Sequence, residues 1–158
     1  MDAGAFDHVA LFRAIAECGA RALLIGRQAL IALGLPVNTK DYDFWIHTDD
    51  AALLNDAVAP LGLHPNRAPT EARAVGRYIL ENSEHVDVLV ARGVSTVDGV
   101  MVWFDDVWSR SRYLDAAPGV AVAIPSIDDL ILTKKFGARP RDAEDIRLLE
   151  VLRSREIR

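Results

Sequence analysis

The stretch 23–46, LLIGRQALIALGLPVNTKDYDFWI, decides how the rest of the chain is interpreted. A short apolar run ends at Gly26, and a segment of helical character continues as far as Gly34. A turn then leads into the segment 41–46, in which two acids, Asp41 and Asp43, precede apolar residues. Glycine is favoured where the backbone must turn sharply or where a helix ends. The stretch therefore predicts a strand, a glycine turn, a helix, a turn and an acidic strand, in that order.

The acidic strand carries two carboxylates side by side. Because side chains alternate between the two faces of a strand, Asp41 and Asp43 share one face while Tyr42 and Phe44 occupy the other. Two like charges a few Å apart repel by roughly 1 to 4 kcal/mol, and a bound cation would relieve that repulsion. Oxygen ligands favour a hard ion such as Mg²⁺, which often shares its coordination with substrate phosphates.

The glycine turn supplies a second feature of a phosphate site. Gly26 lets the backbone approach a ligand closely, and the helix that follows offers unpaired N–H groups at its positive end. Together with the paired carboxylates, this turn predicts a site for a metal-bound phosphate ligand.

Length and composition bound the class of protein. With 158 residues, 51% of them hydrophobic and 26% charged, the chain is predicted to form one soluble globular domain. Cys18 is the single cysteine, which excludes an internal disulfide and favours a reducing compartment, so we expect the cytoplasm. No long apolar segment predicts a signal peptide or a membrane span. The net charge of −5 argues against broad, nonspecific binding of nucleic acid.

Periodicity predicts helices and strands along the whole chain. Helices are expected at 6–18, 27–33, 51–59, from Ser126 to about 135, and 141–153. Thr48, Asp49 and Asp50 are expected to cap the third of them, and Asp129 is expected to complete a capping box with Ser126. Strands are expected at 22–25, 41–46, 75–80, 86–90, 97–104 and 112–114, with turns or loops at 61–70 and 105–111.

One further acid stands out because of its surroundings. Asp87 lies in the run Val-Asp-Val-Leu-Val at 86–90, which is predicted to form a hairpin with 75–80. An acid inside an apolar strand is costly unless it is paired or bound to a metal. Asp87 is therefore a third candidate for the acidic site.

These motifs resemble the nucleotidyltransferase superfamily, which has the polymerase-beta-like fold. Its pattern is an apolar residue, Gly, then Gly or Ser, a spacer, and two acids separated by one apolar residue. Here Ile25-Gly26-Arg27, the spacer 28–40 and Asp41-Tyr42-Asp43 fit this pattern except at Arg27. Gln28-Ala29 and Thr39 resemble the corresponding positions of small bacterial members that are related to abortive-infection and toxin–antitoxin nucleotidyltransferases. The run 134–145, KKFGARPRDAED, resembles the C-terminal helical element of the same members.

The resemblance implies a fold and a set of site residues. The expected fold is α+β, a mixed β-sheet flanked by helices, with a core at about 1–115 and a C-terminal helical element at about 125–155 within one domain, 1–158. Two Mg²⁺ ions are expected at a catalytic and metal-binding triad. The nucleotide phosphates are expected to contact a glycine, an arginine and a lysine. The triad is Asp41, Asp43 and Asp87, with Asp87 as general base or further ligand, and the phosphate contacts are Gly26, Arg27 and Lys134 or Lys135.

Three functions are compatible with this resemblance. The first is an enzyme that moves a nucleoside monophosphate from a nucleoside triphosphate to a hydroxyl of a small molecule, protein or RNA. The second is a toxin with the same chemistry, aimed at tRNA or a protein and neutralised by an antitoxin. The third is a nucleotide-binding or protein-interaction module without turnover. Arg27 bears on this choice, because its side chain would either obstruct the phosphates or bind them in bidentate fashion.

Overall fold

The computed structural model describes residues 6–137 and 139–156. The strands are β1 Ala22–Ile25, β2 Tyr42–Ile46, β3 His64–Pro65, β4 Arg77–Glu81, β5 His85–Leu89, β6 Gly93–Ser95, β7 Met101–Trp103, β8 Arg112–Ala117 and β9 Val120–Ile124. The helices are α1 His8–Glu17, α2 Gly26–Ala32, α3 Ala51–Val58, α4 Pro69–Val75, α5 Phe104–Arg110, α6 Ile127–Lys134 and α7 Pro140–Glu156, with a 3₁₀ turn at Ala59–Leu61. In these two ranges, no helix combines the length and apolar character that crossing a membrane requires.

Seven strands form one mixed sheet in the order β3-β4-β5-β2-β1-β9-β8, while β6 and β7 form a separate hairpin. β2 runs parallel to β5, and β1 runs parallel to β9, whereas the other neighbours in the sheet are antiparallel. This arrangement confirms the predicted α+β fold with a mixed sheet flanked by helices. The sheet continues to Ile124, which extends the β core beyond residue 115.

The two faces of the sheet carry two separate cores, because side chains alternate along each strand. One face contributes residues such as Leu24 and Phe44 to the larger core, which includes the apolar side of α1 and α3. On the other face, Leu23 and Trp45 pack with Phe104 and with the hairpin in a smaller core. We call this second side the acidic face, because the two-residue period places the carboxylate at position 43 on the same side as Trp45.

Two helices were not predicted: α4 overlaps only the end of the turn predicted at 61–70, and α5 replaces the loop predicted at 105–111. α4 begins at Pro69, which is well suited to the first turn of a helix, and ends at Gly76 in the left-handed conformation. α5 places Phe104 and Val107 three residues apart, so that both are buried. The acids in its first turn favour the positive end of the helix. The prediction of a solvated loop at 105–111 was therefore wrong.

Several local predictions are confirmed. β4 and β5 form the expected antiparallel hairpin. One half of the predicted capping box is present, since the hydroxyl of Ser126 accepts a hydrogen bond of 3.2 Å from the backbone N–H of Asp129 at the start of α6. The carboxylate of Asp129 instead accepts from the hydroxyl of Ser126 and the guanidinium of Arg110. By contrast, β9 was not predicted, although its apolar run of five residues is buried between β1 and β8.

Asp50 precedes α3 but its side chain makes no capping hydrogen bond. Its carboxylate instead accepts hydrogen bonds from the backbone N–H of Arg21 at 2.8 Å and from its guanidinium at 2.9 and 3.0 Å. These bonds lower the pKa of Asp50 below its usual value. The predicted capping role was wrong, because a charged donor at the start of β1 outcompetes the helix N–H groups.

The larger core contains one hydrogen bond whose loss can be measured. The hydroxyl of Tyr78 donates to Asn55 Oδ1 at 2.6 Å, and both residues are buried. Tyr78→Phe should lower the free energy of unfolding by about 1 to 3 kcal/mol, because a buried acceptor is left without its donor. Urea unfolding measures this loss. Tyr113→Phe is the matched control, since Tyr113 is 68% exposed, and equal losses in both variants would contradict the assignment.

Candidate active site

The acidic face brings two carboxylates together on neighbouring strands. Asp43 on β2 and Asp87 on β5 occupy directly paired positions, and paired strands lie about 4.8 Å apart. Residues paired in this way project to the same face of the sheet. Both carboxylates line one cavity. The structure therefore brings together two of the three predicted acids.

The cavity has a volume of about 520 Å³, within the range of about 300 to 1,000 Å³ that is usual for ligand sites. Apolar side chains, including Leu89, Val94 of the hairpin and Phe136, form part of its wall. Charged side chains of both signs and a hydroxyl side chain form much of the rest. They are Asp43, Arg77, Asp87, Thr133, Lys134, Arg139 and Asp142. A ligand with negative groups and an apolar ring would match both parts.

Burial, with a further contribution from neighbouring negative charge, raises the pKa values of both carboxylates. Burial, followed by the charges of Asp87 and Asp41, raises the pKa of Asp43 to about 6, although Lys134 and Arg139 act in the opposite direction. Burial and the charge of Asp41 likewise raise the pKa of Asp87. The described side chains therefore leave part of the negative charge at this site uncompensated, and a divalent cation would relieve it.

Asp41 lies next to these acids but is not among the residues that line the cavity. Its side chain is 55% exposed and pairs with the guanidinium of Arg141 on α7 at 3.5 Å. Its backbone N–H donates to the hydroxyl of Thr39 at 3.0 Å. Within 6–137 and 139–156, no three His, Cys, Asp or Glu side chains are grouped so as to hold a metal ion. The role of Asp41 as a metal ligand stays a prediction.

Gly26 makes the position of Asp43 possible. Its φ angle is +70°, in the left-handed region that favours glycine. A Cβ atom there would lie 2.5 Å from Asp43 Oδ2, well inside van der Waals contact. The sequence predicted close approach of a phosphate at this turn. The structure shows that the turn also makes room for the carboxylate on the neighbouring strand.

Arg27 points away from the cavity and toward α7. Its Nε and Nη2 donate to the two carboxylate oxygens of Asp145 at 3.2 and 3.1 Å, and its Nη1 donates to the carbonyl oxygen of Asn38 at 3.1 Å. The Nζ of Lys134 lies 2.7 Å from the same carboxylate. We call Arg27, Lys134 and Asp145 the Asp145 cluster. Arg27 is not among the residues that line the cavity, whereas Lys134 is.

The two predicted lysines have different surroundings. Lys134 is almost fully buried, with 4% of its side chain exposed, and it borders the cavity. Lys135 does not line the cavity, and its carbonyl oxygen accepts a hydrogen bond from the N–H of Val97 beside the hairpin. Of the pair, Lys134 is therefore the one placed to meet a ligand of the carboxylates.

Three charged lining residues, Arg77, Arg139 and Asp142, were not identified as site residues from the sequence. Arg139 donates to Asp142 through its backbone N–H and its guanidinium at 3.1 to 3.2 Å. Arg77 lies on the acidic face, because its strand partner Leu89 is two positions beyond Asp87. Aligning the predicted hairpin would have found Arg77, and the dense charges at 139–145 could have indicated the others.

Comparison with solved structures identifies the fold. The chain is similar to the antibiotic-resistance factor ANT(2'')-Ia, with a TM-score of 0.61 and 15% identity over 93% of this chain and 87% of that chain. It is also similar to TM1012 of Thermotoga maritima, which is named as a nucleotidyltransferase, with a TM-score of 0.57 and 12% identity over 91% of this chain and 86% of that chain. The chain has the nucleotidyltransferase fold, which confirms the resemblance at the level of fold.

Comparison of the sequence alone adds no relative. No family model matches the chain, and no curated protein matches it significantly. The assignment of the fold therefore depends on the arrangement of the strands and helices.

The glycine turn can be tested with two matched substitutions. Gly34→Ala should cost about 1 to 2 kcal/mol of unfolding free energy, because Gly34 has a left-handed φ of +85° and no atom within 4 Å of the added methyl group. Gly26→Ala should cost at least about 1 kcal/mol more, because its methyl group must also displace Asp43. Denaturant unfolding measures both losses. Equal losses would contradict the proposed packing of Gly26 against Asp43.

The raised pKa of Asp43 gives stability a pH dependence of known sign. The folded state binds this proton more tightly than the unfolded chain, for which the ordinary value is 3.8. The contribution of Asp43 is therefore most favourable at low pH and is lost as pH rises from about 4 through about 6, a loss of about 2 to 3 kcal/mol.

Asp43→Asn should accordingly gain stability over the wild type as pH rises from 4 to 7 when no divalent metal is present. Urea unfolding across this range measures the difference between the two proteins. The control is Asp56→Asn, on the exposed side of α3, whose difference from the wild type should stay constant. If the difference in unfolding free energy between Asp43→Asn and the wild type does not grow with pH, the carboxylate pair is not strained as described.

Proposed function

We propose that this chain is a Mg²⁺-dependent nucleotidyltransferase that moves a nucleoside monophosphate from a nucleoside triphosphate to a hydroxyl acceptor. The observation that carries this proposal is the direct pairing of Asp43 and Asp87 in a cavity that Gly26 and Lys134 also line. The fold supports the same conclusion, since the similar structures are nucleotidyltransferases. Carboxylates for a metal and a cation for phosphate are the two requirements of this chemistry.

The donor set fits magnesium. Asp43 and Asp87 offer oxygen ligands only, and their raised pKa values reflect a negative charge that a divalent cation would neutralise. Asp41 is the third proposed ligand, and it requires its exposed ion pair with Arg141 to open. When bound, two Mg²⁺ ions would neutralise triphosphate charge and favour ionisation of the acceptor hydroxyl.

The side chains of this chain have separate roles in the proposed reaction. Lys134 supplies a point charge to the phosphate oxygens, and Gly26 allows the backbone to approach them. Asp87 takes the proton of the acceptor hydroxyl onto its carboxylate, a role that suits a carboxylate whose pKa is raised. The acceptor oxygen then forms a bond to the α-phosphorus, the bond from that phosphorus to the bridging oxygen breaks, and pyrophosphate leaves with that oxygen.

The acceptor is proposed by chemical class. It is a hydroxyl on a small molecule, a protein or an RNA, and we place the reaction in the cytoplasm because the chain has a single cysteine. The net charge of −5 disfavours nonspecific RNA binding, so small molecules and proteins are the first acceptors to test and tRNA the third. Transfer to tRNA or to a host protein that stops growth would support the toxin, and an antitoxin would then be its partner.

One observation favours the module without turnover as a second candidate. Asp41 is paired with Arg141 and is not among the residues that line the cavity that holds Asp43 and Asp87. If this pair persists when nucleotide binds, the site lacks one of the three proposed metal ligands. Such a protein would bind Mg²⁺ and nucleotide but would release no pyrophosphate.

Calorimetric titration with each of the four nucleoside triphosphates tests the proposal. The wild type should bind at least one of them in a Mg²⁺-dependent manner, and Asp43→Asn should abolish that dependence. Lys134→Met should weaken binding by roughly 10- to 100-fold, because a charge-assisted bond to phosphate is lost. The matched control is Lys135→Met, which should bind as the wild type does because Lys135 does not line the cavity.

Pyrophosphate release in the presence of candidate acceptors separates the two candidates. Release that Asp43→Asn abolishes supports the enzyme, and binding without release for every acceptor supports the module. Absence of Mg²⁺-dependent binding in the wild type would contradict both.

A further inference from the structure

The Asp145 cluster contains more positive than negative charge. Asp145 is completely buried and accepts hydrogen bonds from Arg27 on both carboxylate oxygens, while Lys134 lies 2.7 Å from Oδ2. Two cations therefore share this one buried carboxylate, and Nη2 of Arg27 also lies 4.0 Å from the exposed carboxylate of Glu144. Although burial acts to raise it, the bonds from these two cations hold the pKa of Asp145 below its usual value.

The excess charge matters because only one of the two cations borders the cavity. Lys134 lines it and Arg27 does not. If Asp145 had Lys134 as its sole partner, the two would form a buried neutral pair, and a phosphate would have to compete with that carboxylate for the ammonium group. With Arg27 bound to both oxygens of Asp145, much of the carboxylate charge is already compensated.

We propose that Arg27 is a positioning residue, which occupies Asp145 so that the charge of Lys134 remains available to phosphate oxygens in the cavity. This inference rests on the proposed function and assigns a role to the one residue at which the glycine motif departs from the superfamily. Arg27 acts through Asp145 and touches no phosphate itself. Neither of the two roles expected from the sequence, obstruction or direct phosphate binding, matches the direction of its side chain.

A second contact of Arg27 supports a positioning role. Its Nη1 binds the carbonyl oxygen of Asn38, three residues before Asp41. One guanidinium thus joins the glycine turn, the segment that leads into the acidic strand, and α7. Its side chain is 17% exposed, so the planar fork is held in a mostly dry environment where these bonds are strong.

The test measures binding of sodium pyrophosphate without metal, by calorimetry, to the full chain. This probe reports on the cations of the cavity and does not require the transfer reaction. The variants are Lys134→Met, Arg27→Gln, Arg27→Lys and the double variant Arg27→Gln with Asp145→Asn. The control is the exposed pair of Arg153 and Asp128, 2.8 Å apart, changed to Gln and Asn singly and together.

Lys134→Met and Arg27→Gln should each weaken pyrophosphate binding by roughly tenfold or more, and Arg27→Lys by less than about threefold. The double variant should recover to within about threefold of the wild type, because the competing carboxylate charge is gone. The double variant also lacks the contacts that Arg27 makes. If the role of Arg27 were purely structural, pyrophosphate binding would therefore not recover in this variant. Changes at Arg153 and Asp128 should have no effect.

Three results would overturn the inference: wild-type binding in Arg27→Gln, a double variant as weak as Arg27→Gln, or no pyrophosphate binding by the wild type. Urea unfolding checks that each variant is folded. If Arg27→Gln does not fold, the comparison of Arg27→Lys with the wild type still tests the inference. Failure of the proposed function can be distinguished from failure of this inference. If the predicted pyrophosphate pattern appears but no triphosphate binds with Mg²⁺, the role of Arg27 stands and the transferase does not.

Discussion

The repulsion between Asp43 and Asp87 is the constraint on which the rest of the site depends. Parallel pairing of β2 and β5 places the two carboxylates opposite each other, with Asp43 partly buried and Asp87 exposed. Gly26 must then lack a side chain, because a methyl group would collide with Asp43. This arrangement raises the pKa values of both acids. The proposed cation would stabilise this arrangement when bound.

The C-terminal segment adds positive charge to that of Arg77, which lies on the sheet. α6 carries Lys134 to the cavity, and the segment before α7 brings Arg139 beside it. Because α6 and α7 pack against each other, Asp145 of α7 can hold the lysine from behind. The paired carboxylates thus belong to the sheet, which also supplies Arg77, whereas Lys134 and Arg139 come from the C-terminal part of the chain.

Local sequence patterns indicated part of the site, although the apolar run of β9 was missed. Strand alternation predicted that Asp43 faces away from Phe44, and an acid in an apolar run identified Asp87. It could not indicate that Arg27 would bind Asp145, 118 positions away, or that Arg141 would hold Asp41 at the edge of the cavity. Those pairs depend on where α7 packs, which no local pattern specifies. α5 was missed for a related reason, since its short apolar side is recognisable only once Trp45 is known to face it.

The most direct test of this account is a crystal structure of the wild-type protein grown with Mn²⁺, which substitutes for Mg²⁺ at oxygen ligands and scatters anomalously. We expect an anomalous peak between the carboxylates of Asp43 and Asp87, within about 2.5 Å of an oxygen from each. Asp43→Asn crystals grown in the same way should lack the peak. An empty site between the two acids in wild-type crystals at saturating Mn²⁺ would contradict the claim that their repulsion exists to bind a cation.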